Sequence, residues 1–126
     1  MEIPDDLLYT EEHEWIRNVG DGLVRIGITD YAQDQLGDVV YVELPEVGKD
    51  VAKDDVLVEV ESTKSVGEVY APFAGKVNDV NQATSASPEL VNQSPYEDGW
   101  LVVLSLADEM PADGLLDAAG YRDLTE

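Results

Sequence analysis

Lys64 is the residue of this sequence best placed to do chemistry. It is one of four lysines, and it stands with Ser62, Thr63 and Ser65 where two strand-like runs meet, Val56 to Glu61 and Val66 to Tyr70. That spacing predicts a hairpin with Lys64 at its tip, a rigid base that projects a side chain away from the body. A lysine there has two uses. It can be a solubilising turn charge, the commoner case, or an amine presented for covalent modification. In the second use an amide to a carboxylic cofactor would replace the charge with a long reactive arm. Glu61 and Glu68 nearby could help a modifying enzyme recognise the tip.

Other chemistries lack their residues. The absence of cysteine removes disulfides, thiol nucleophiles, Fe–S clusters and cysteine zinc sites. The single histidine, His13, cannot build a His-rich metal site, and His13-Glu14 has no second histidine four residues on. There is no Gly-x-Ser-x-Gly elbow and no phosphate-binding glycine loop before a helix. Asp50 to Asp55 lacks the spacing and glycine of an EF-hand. Carboxylate pairs such as Asp5-Asp6 and Asp54-Asp55 are expected by chance in so acidic a chain. Asn92-Gln93-Ser94 has the form of a glycosylation acceptor, but nothing suggests secretion. The sequence does not read as an enzyme.

The elements that must carry Lys64 are short. Turn signals recur every 8–12 residues or so, which favours strands over long helices. Strands are expected at His13 to Val19 and Leu23 to Ile28, joined through Gly20-Asp21-Gly22, and again at Val39 to Leu44, Gly75 to Val80 and Trp100 to Leu106. A two-turn helix is expected over Thr29 to Leu36, with Thr29 as N-cap and Gly37 as its stop. Further short helices are expected at Pro88 to Val91 and at Ala112 to Ala119, the latter stopped by Gly120. A repeat sharpens the picture. Val39-x-x-Val42-x-x-Pro45-x-x-Gly48-Lys49 recurs 27 residues later as Val66-x-x-Val69-x-x-Pro72-x-x-Gly75-Lys76. Two such units imply a quasi-symmetric barrel or sandwich with Lys64 between them.

At 126 residues and 13.8 kDa the chain has one domain's length, and a 44% hydrophobic content can bury a core. Twenty-eight acidic against seven basic side chains give a net charge of −21. Such a surface repels phosphate backbones and anionic membranes, and it favours partners with basic patches. No window is long and apolar enough to span a membrane. The acidic N-terminus lacks the layout of a signal or transit peptide, so a bacterial-type cytoplasmic location is expected, or the matrix for a processed organellar form.

A lysine held between two β repeats is how lipoyl and biotinyl carrier domains are built, and the sequence resembles the glycine cleavage H-protein family within that group. The resemblance spans nearly the whole chain. It rests on Tyr9-Thr10-x-x-His13-Glu14-Trp15, Gly27-Ile28-Thr29-x-Tyr31-Ala32-Gln33, Leu36-Gly37-Asp38, Glu61-Ser62-Thr63-Lys64-Ser65, Pro72-Phe73-Ala74-Gly75-Lys76-Val77, Pro88-Glu89-Leu90-Val91-Asn92 and Pro95-Tyr96-x-x-Gly99-Trp100, in that order. A biotin carrier would tend to show Met on both sides of the lysine, where Thr63 and Ser65 stand here.

The resemblance implies a mainly β, flattened antiparallel sandwich or barrel of lipoyl-domain type, one carrier domain over 1–126 with a helical C-terminal extension at about 107–126. It implies lipoic acid joined to Lys64 and a carrier without catalysis or metal of its own. Such carriers take the aminomethyl group from a pyridoxal-phosphate glycine decarboxylase to a tetrahydrofolate-dependent aminomethyltransferase. Their dithiol is then reoxidised by dihydrolipoamide dehydrogenase, and a lipoate ligase or octanoyltransferase loads them. All sulfur chemistry belongs to the cofactor, in keeping with a chain free of cysteine. The lysyl–lipoyl arm would extend on the order of 14 Å. The resemblance also implies a cleft that shelters the loaded arm, with Glu14 matching a residue that faces the cationic amine. Many relatives have histidine where Gln35 stands, and glutamine cannot change charge near neutral pH. Trp15, Tyr96 and Trp100 are expected in packing. A monomer is expected. The alternatives are a relay of lipoyl or octanoyl groups in lipoate assembly, and an interaction module that has lost its modification.

Overall fold

The structure, a computed structural model, describes residues 2–106 and 114–125. Two antiparallel sheets face each other. The larger has the spatial order β1 (Leu8–Tyr9), β2 (Glu14–Gly20), β3 (Leu23–Ile28), β9 (Val102–Ser105), β8 (Gly75–Val80) and β5 (Asp50–Val51). The smaller is β4 (Val39–Glu43), β6 (Val56–Ser62) and β7 (Val66–Tyr70), with β6 in the middle. The expected sandwich forms as two open sheets and not as a closed barrel.

Alternation along the strands fills the space between the sheets. Val24, Ile26 and Ile28 of β3 meet Val42, Val58, Val60 and Val69 of the smaller sheet in one core, each at most 4% exposed. Burying each such side chain contributes roughly 1.5–3 kcal/mol relative to leaving it in water. A second cluster lies around Tyr9, Trp15, Tyr96 and Tyr121. Trp15 pairs across the sheet with Gly27, and a Cβ on Gly27 would lie 2.6 Å from the indole. The glycine is therefore required by its neighbour's bulk. Trp15 and Tyr96 pack as expected, and half-buried Trp100 lies under the Arg25 guanidinium, 5.0 Å away.

The repeat is visible as reciprocal pairing. β4 and β7, which begin its two copies, flank β6. Their continuations then pair with each other. Gly48 N–H donates to Val77 O and Val77 N–H to Lys49 O, both at 2.8 Å, and Asp50 stands opposite Lys76.

Among the described residues four helices sit outside the sheets: α1 (Asp30–Leu36), α2 (Gln82–Ala86), α3 (Leu90–Gln93) and α4 (Ala118–Thr125). α1 forms as expected, with the Thr29 hydroxyl accepting from Ala32 N–H and the Gly37 N–H bonded to Gln33 O. The helix expected at Ala112 to Ala119 is corrected. Residues 112 and 113 lie outside the described residues, Leu116 bridges to Tyr9, and the helix runs over Ala118–Thr125. Gly120 does not stop it. This glycine sits in the first turn, where its N–H has no helical partner and is taken by Asp117 Oδ1 at 2.8 Å. The helix near Pro88 begins two residues later, at Leu90. No helix among the described residues is long and apolar enough to cross a membrane.

Candidate functional site

Lys64 is exposed at the tip between β6 and β7, and hydrogen bonds close the tip. Ser62 N–H bonds Ser65 O at 2.8 Å. The Ser62 hydroxyl donates to the same carbonyl at 3.0 Å and accepts from Ser65 N–H at 3.0 Å and Lys64 N–H at 3.3 Å. One small side chain thus closes the turn. Thr63 N–H bonds Asp38 O at 3.0 Å and ties the tip to the residue before β4.

The Lys64 stem lies along Gly37. A Cβ on Gly37 would come 3.4 Å from Lys64 Cε, and its φ of +84° belongs to the left-handed region that favours glycine. Gly37 ends α1, and α1 walls a cavity of about 180 Å³. Ile28, Ala32, Leu36, Val60 and Val69 make its apolar lining, and Glu12, His13, Gln35 and Glu68 are its polar groups. Gly67 belongs to this arrangement, because a Cβ there would press to 3.0 Å on Leu36 Cδ2. An exposed lysine whose stem packs on Gly37, at the end of the helix that walls an apolar cleft, fits a thin, apolar acyl chain in an amide bond.

Glu14 is placed differently. It is 2% exposed, with Oε2 accepting from Tyr70 N–H at 2.6 Å and Oε1 from the Thr10 hydroxyl at 3.0 Å. It lines a neighbouring cavity of about 260 Å³, and Glu12 borders both. Burial pushes its carboxyl up to about 7, against the opposing pull of its two hydrogen bonds. The structure therefore does not bring Glu14 and Gln35 together.

Asn92 was missed as a functional residue in the sequence. Its Oδ1 accepts from Val39 N–H at 2.8 Å, while Nδ2 donates to Gly37 O at 2.9 Å and Gln33 Oε1 at 3.0 Å. It therefore locks α1 to β4, just behind the Lys64 tip. The formal glycosylation motif is this amide at work in packing. Glu12 was missed because nothing local marks it; only the fold brings it to Glu68. Among the described residues no group of three His, Cys, Asp or Glu is arranged to hold a metal.

The comparisons with known proteins agree over the chain's length. The sequence model described as "Glycine cleavage H-protein" matches residues 7–126. A glycine cleavage system H protein of Mycolicibacterium smegmatis is 59% identical over 125 residues, covering 96% of this chain and 95% of that protein. One from Anaeromyxobacter sp. strain K is 52% identical over 126 residues, covering 100% and 98%. The crystal structure of a glycine cleavage system H protein from Mycobacterium marinum superposes with a TM-score of 0.86 at 40% identity, over 96% of this chain and 97% of that one. The chain belongs to the glycine cleavage H-protein family.

Proposed function

We propose that Lys64 carries the lipoyl group with which members of this family serve the glycine cleavage system, and that the chain is a single carrier domain over 1–126 without catalysis of its own. The observation that supports this most is exposed Lys64 on a hydrogen-bonded tip, its stem packed on Gly37 at the end of the helix that walls the apolar cleft. When bound, the group supplies a disulfide that accepts the aminomethyl unit from glycine decarboxylation and a dithiol that is later reoxidised.

The chain's own residues do the rest. The Ser62 turn fixes where the arm is rooted, so its reach is set by its own bonds. Ile28, Ala32, Leu36, Val60 and Val69 would exclude water from the docked end, and Glu12 and Glu68 at the polar edge would face a cationic amine. Glu14 would serve the cleft from behind, because its carboxylate grips Tyr70 N–H and so fixes β7, which bears Glu68 and Val69. Gln35, which lines the cleft, would offer hydrogen bonds there without changing charge. The partners are the glycine decarboxylase, the aminomethyltransferase, dihydrolipoamide dehydrogenase and the loading ligase or octanoyltransferase, met in the cytoplasm by a monomer. The net charge of −21 suits brief docking on basic surfaces, since steering raises association rates without tight binding.

The test is intact mass of the protein from its host, with tryptic mapping, followed by Lys64→Arg in a reconstituted glycine cleavage assay. One lipoyl increment on Lys64, and no turnover by the arginine variant, is the expected result. Turnover by Lys64→Arg would remove Lys64 from the mechanism.

A further inference from the structure

A chain of three hydroxyl and imidazole groups joins α4 to the cleft. Thr29 Oγ1 lies 2.7 Å from Tyr121 Oη, and Tyr121 Oη lies 2.8 Å from His13 Nδ1. Tyr121 is fully buried and stacked on Tyr9, with ring centroids 4.7 Å apart and planes 12° apart. His13 is wedged between the edge of Tyr121 and the tilted ring of Tyr31, and its φ of +68° is a left-handed conformation uncommon for a residue other than glycine.

The protons in this chain can be placed by accounting. Thr29 Oγ1 already accepts from Ala32 N–H at 3.1 Å as the cap of α1. Thr29 is 0% exposed, and Tyr121 is the one acceptor for its hydroxyl hydrogen among the described residues. If Tyr121 donated to Thr29, that hydrogen would be buried without a partner, which costs about 1–3 kcal/mol. Thr29 therefore donates to Tyr121, and Tyr121 donates to His13 Nδ1. Burial holds the Tyr121 phenol protonated, pushed up to about 12, and lowers the His13 pKa, with Glu12 opposing. Nδ1 is thus the acceptor and Nε2 bears the hydrogen. Nε2 has no protein partner among the described residues, yet the one buried side-chain polar atom left unpaired there is Arg25 Nε. The His13 side chain is one of the groups that line the cavity.

We infer that Tyr121 is a positioning residue that locks His13 as the Nε2–H tautomer, and that Nε2–H is the hydrogen-bond donor the cleft offers to a lipoyl sulfur. The second half rests on the lipoyl reading above; the tautomer does not. The chemistry matches, because the distal end of a lipoyl group presents sulfur acceptors, while Glu12 and Glu68 can only accept when ionised. The C-terminal helix thereby has a task at the cleft.

The chain has one histidine, so long-range nitrogen–proton correlation spectra of the 15N-labelled full chain show one imidazole. At neutral pH the unmodified protein is expected to show a pyridine-like Nδ1 and a pyrrole-like Nε2. Tyr121→Phe keeps the stack on Tyr9 and removes the hydroxyl; both nitrogens should then move toward averaged positions as the tautomers interconvert. Thr29→Ser keeps the relay and should preserve the wild-type pattern. A protonated Nδ1 in the wild type, or an unchanged pattern in a folded Tyr121→Phe, overturns the lock. Lipoylation of Lys64, verified by mass, should shift the Nε2 signal in the wild type and less in Tyr121→Phe. No shift on a verified lipoyl-lysine overturns the donor role. Failure of a lipoate ligase to load Lys64 would instead strike the function proposed above.

Discussion

The two copies of the repeat use the same letters for different reasons. Gly48 ends the first copy with a φ of +94° and open space where a Cβ would go. Gly75 ends the second outside the left-handed region, but a Cβ there would meet the Ser105 carbonyl oxygen at 2.6 Å. One glycine answers to backbone conformation, the other to crowding. The valines that begin the copies also part ways. Val39 is 5% exposed and its N–H is held by Asn92, whereas Val66 is 56% exposed beside the Lys64 tip. The next position is exposed Val40 in the first copy and Gly67 in the second, where the missing side chain admits Leu36 of α1. Tyr70 N–H in the second copy is bound by Glu14, while its counterpart Glu43 faces Glu59 in the sheet. A common pattern thus builds both halves, and the departures from it make a cleft on one side.

Alanine at each terminal glycine tests this most severely. Gly75→Ala should lower unfolding free energy by about 3 kcal/mol, since backbone must move, and Gly48→Ala by about 1 kcal/mol, the strain of a left-handed alanine. Equal losses in denaturant titrations would erase the distinction. Glu14 comes next. Its folded pKa of about 7 lies above the ordinary 4.5, so its contribution to stability is complete below pH 4.5 and is lost as pH rises through 7. Between pH 5 and 8 the wild type should lose about 2–3 kcal/mol relative to Glu14→Gln. Parallel stability curves for the two proteins would show that Tyr70 is not held by a titrating group. Asn92→Ala, which strands the Val39 N–H, should cost about 2 kcal/mol; a neutral result would mean the first copy needs no anchor. The smallest contrast is between the opening valines, about 1.5 kcal/mol for Val39→Ala and under about 0.5 for Val66→Ala.

Apart from the repeat and the family resemblance, what could be read from the sequence was local. Thr29 and Gly37 bracket α1 because caps act within one turn, and Ser62 to Ser65 announce a hairpin for the same reason. α2 was missed although Asn81 caps it, accepting from Ala83 N–H, because Gln82-Ala-Thr-Ser-Ala offers no apolar stripe. β5 has two residues and exists only through β8. α4 was misplaced because a glycine is a stop by propensity, and the choice was made elsewhere, by Tyr121 finding Tyr9. The site divides in the same way. Lys64 is written in its neighbours, but the pairing of His13 with Tyr121 joins residues 108 positions apart, and no local rule reaches that far.

The closed turn at Ser62 has an implication for when the carrier is charged. Its tip is also tethered to Asp38, a residue distant from the hairpin in sequence, and that tether exists only once β4 has joined β6. A peptide copied from the hairpin alone would lack that tether and should be a poor acceptor for the loading enzyme. With Lys64 as the attachment site proposed above, loading would then favour chains in which β4 has already joined the hairpin.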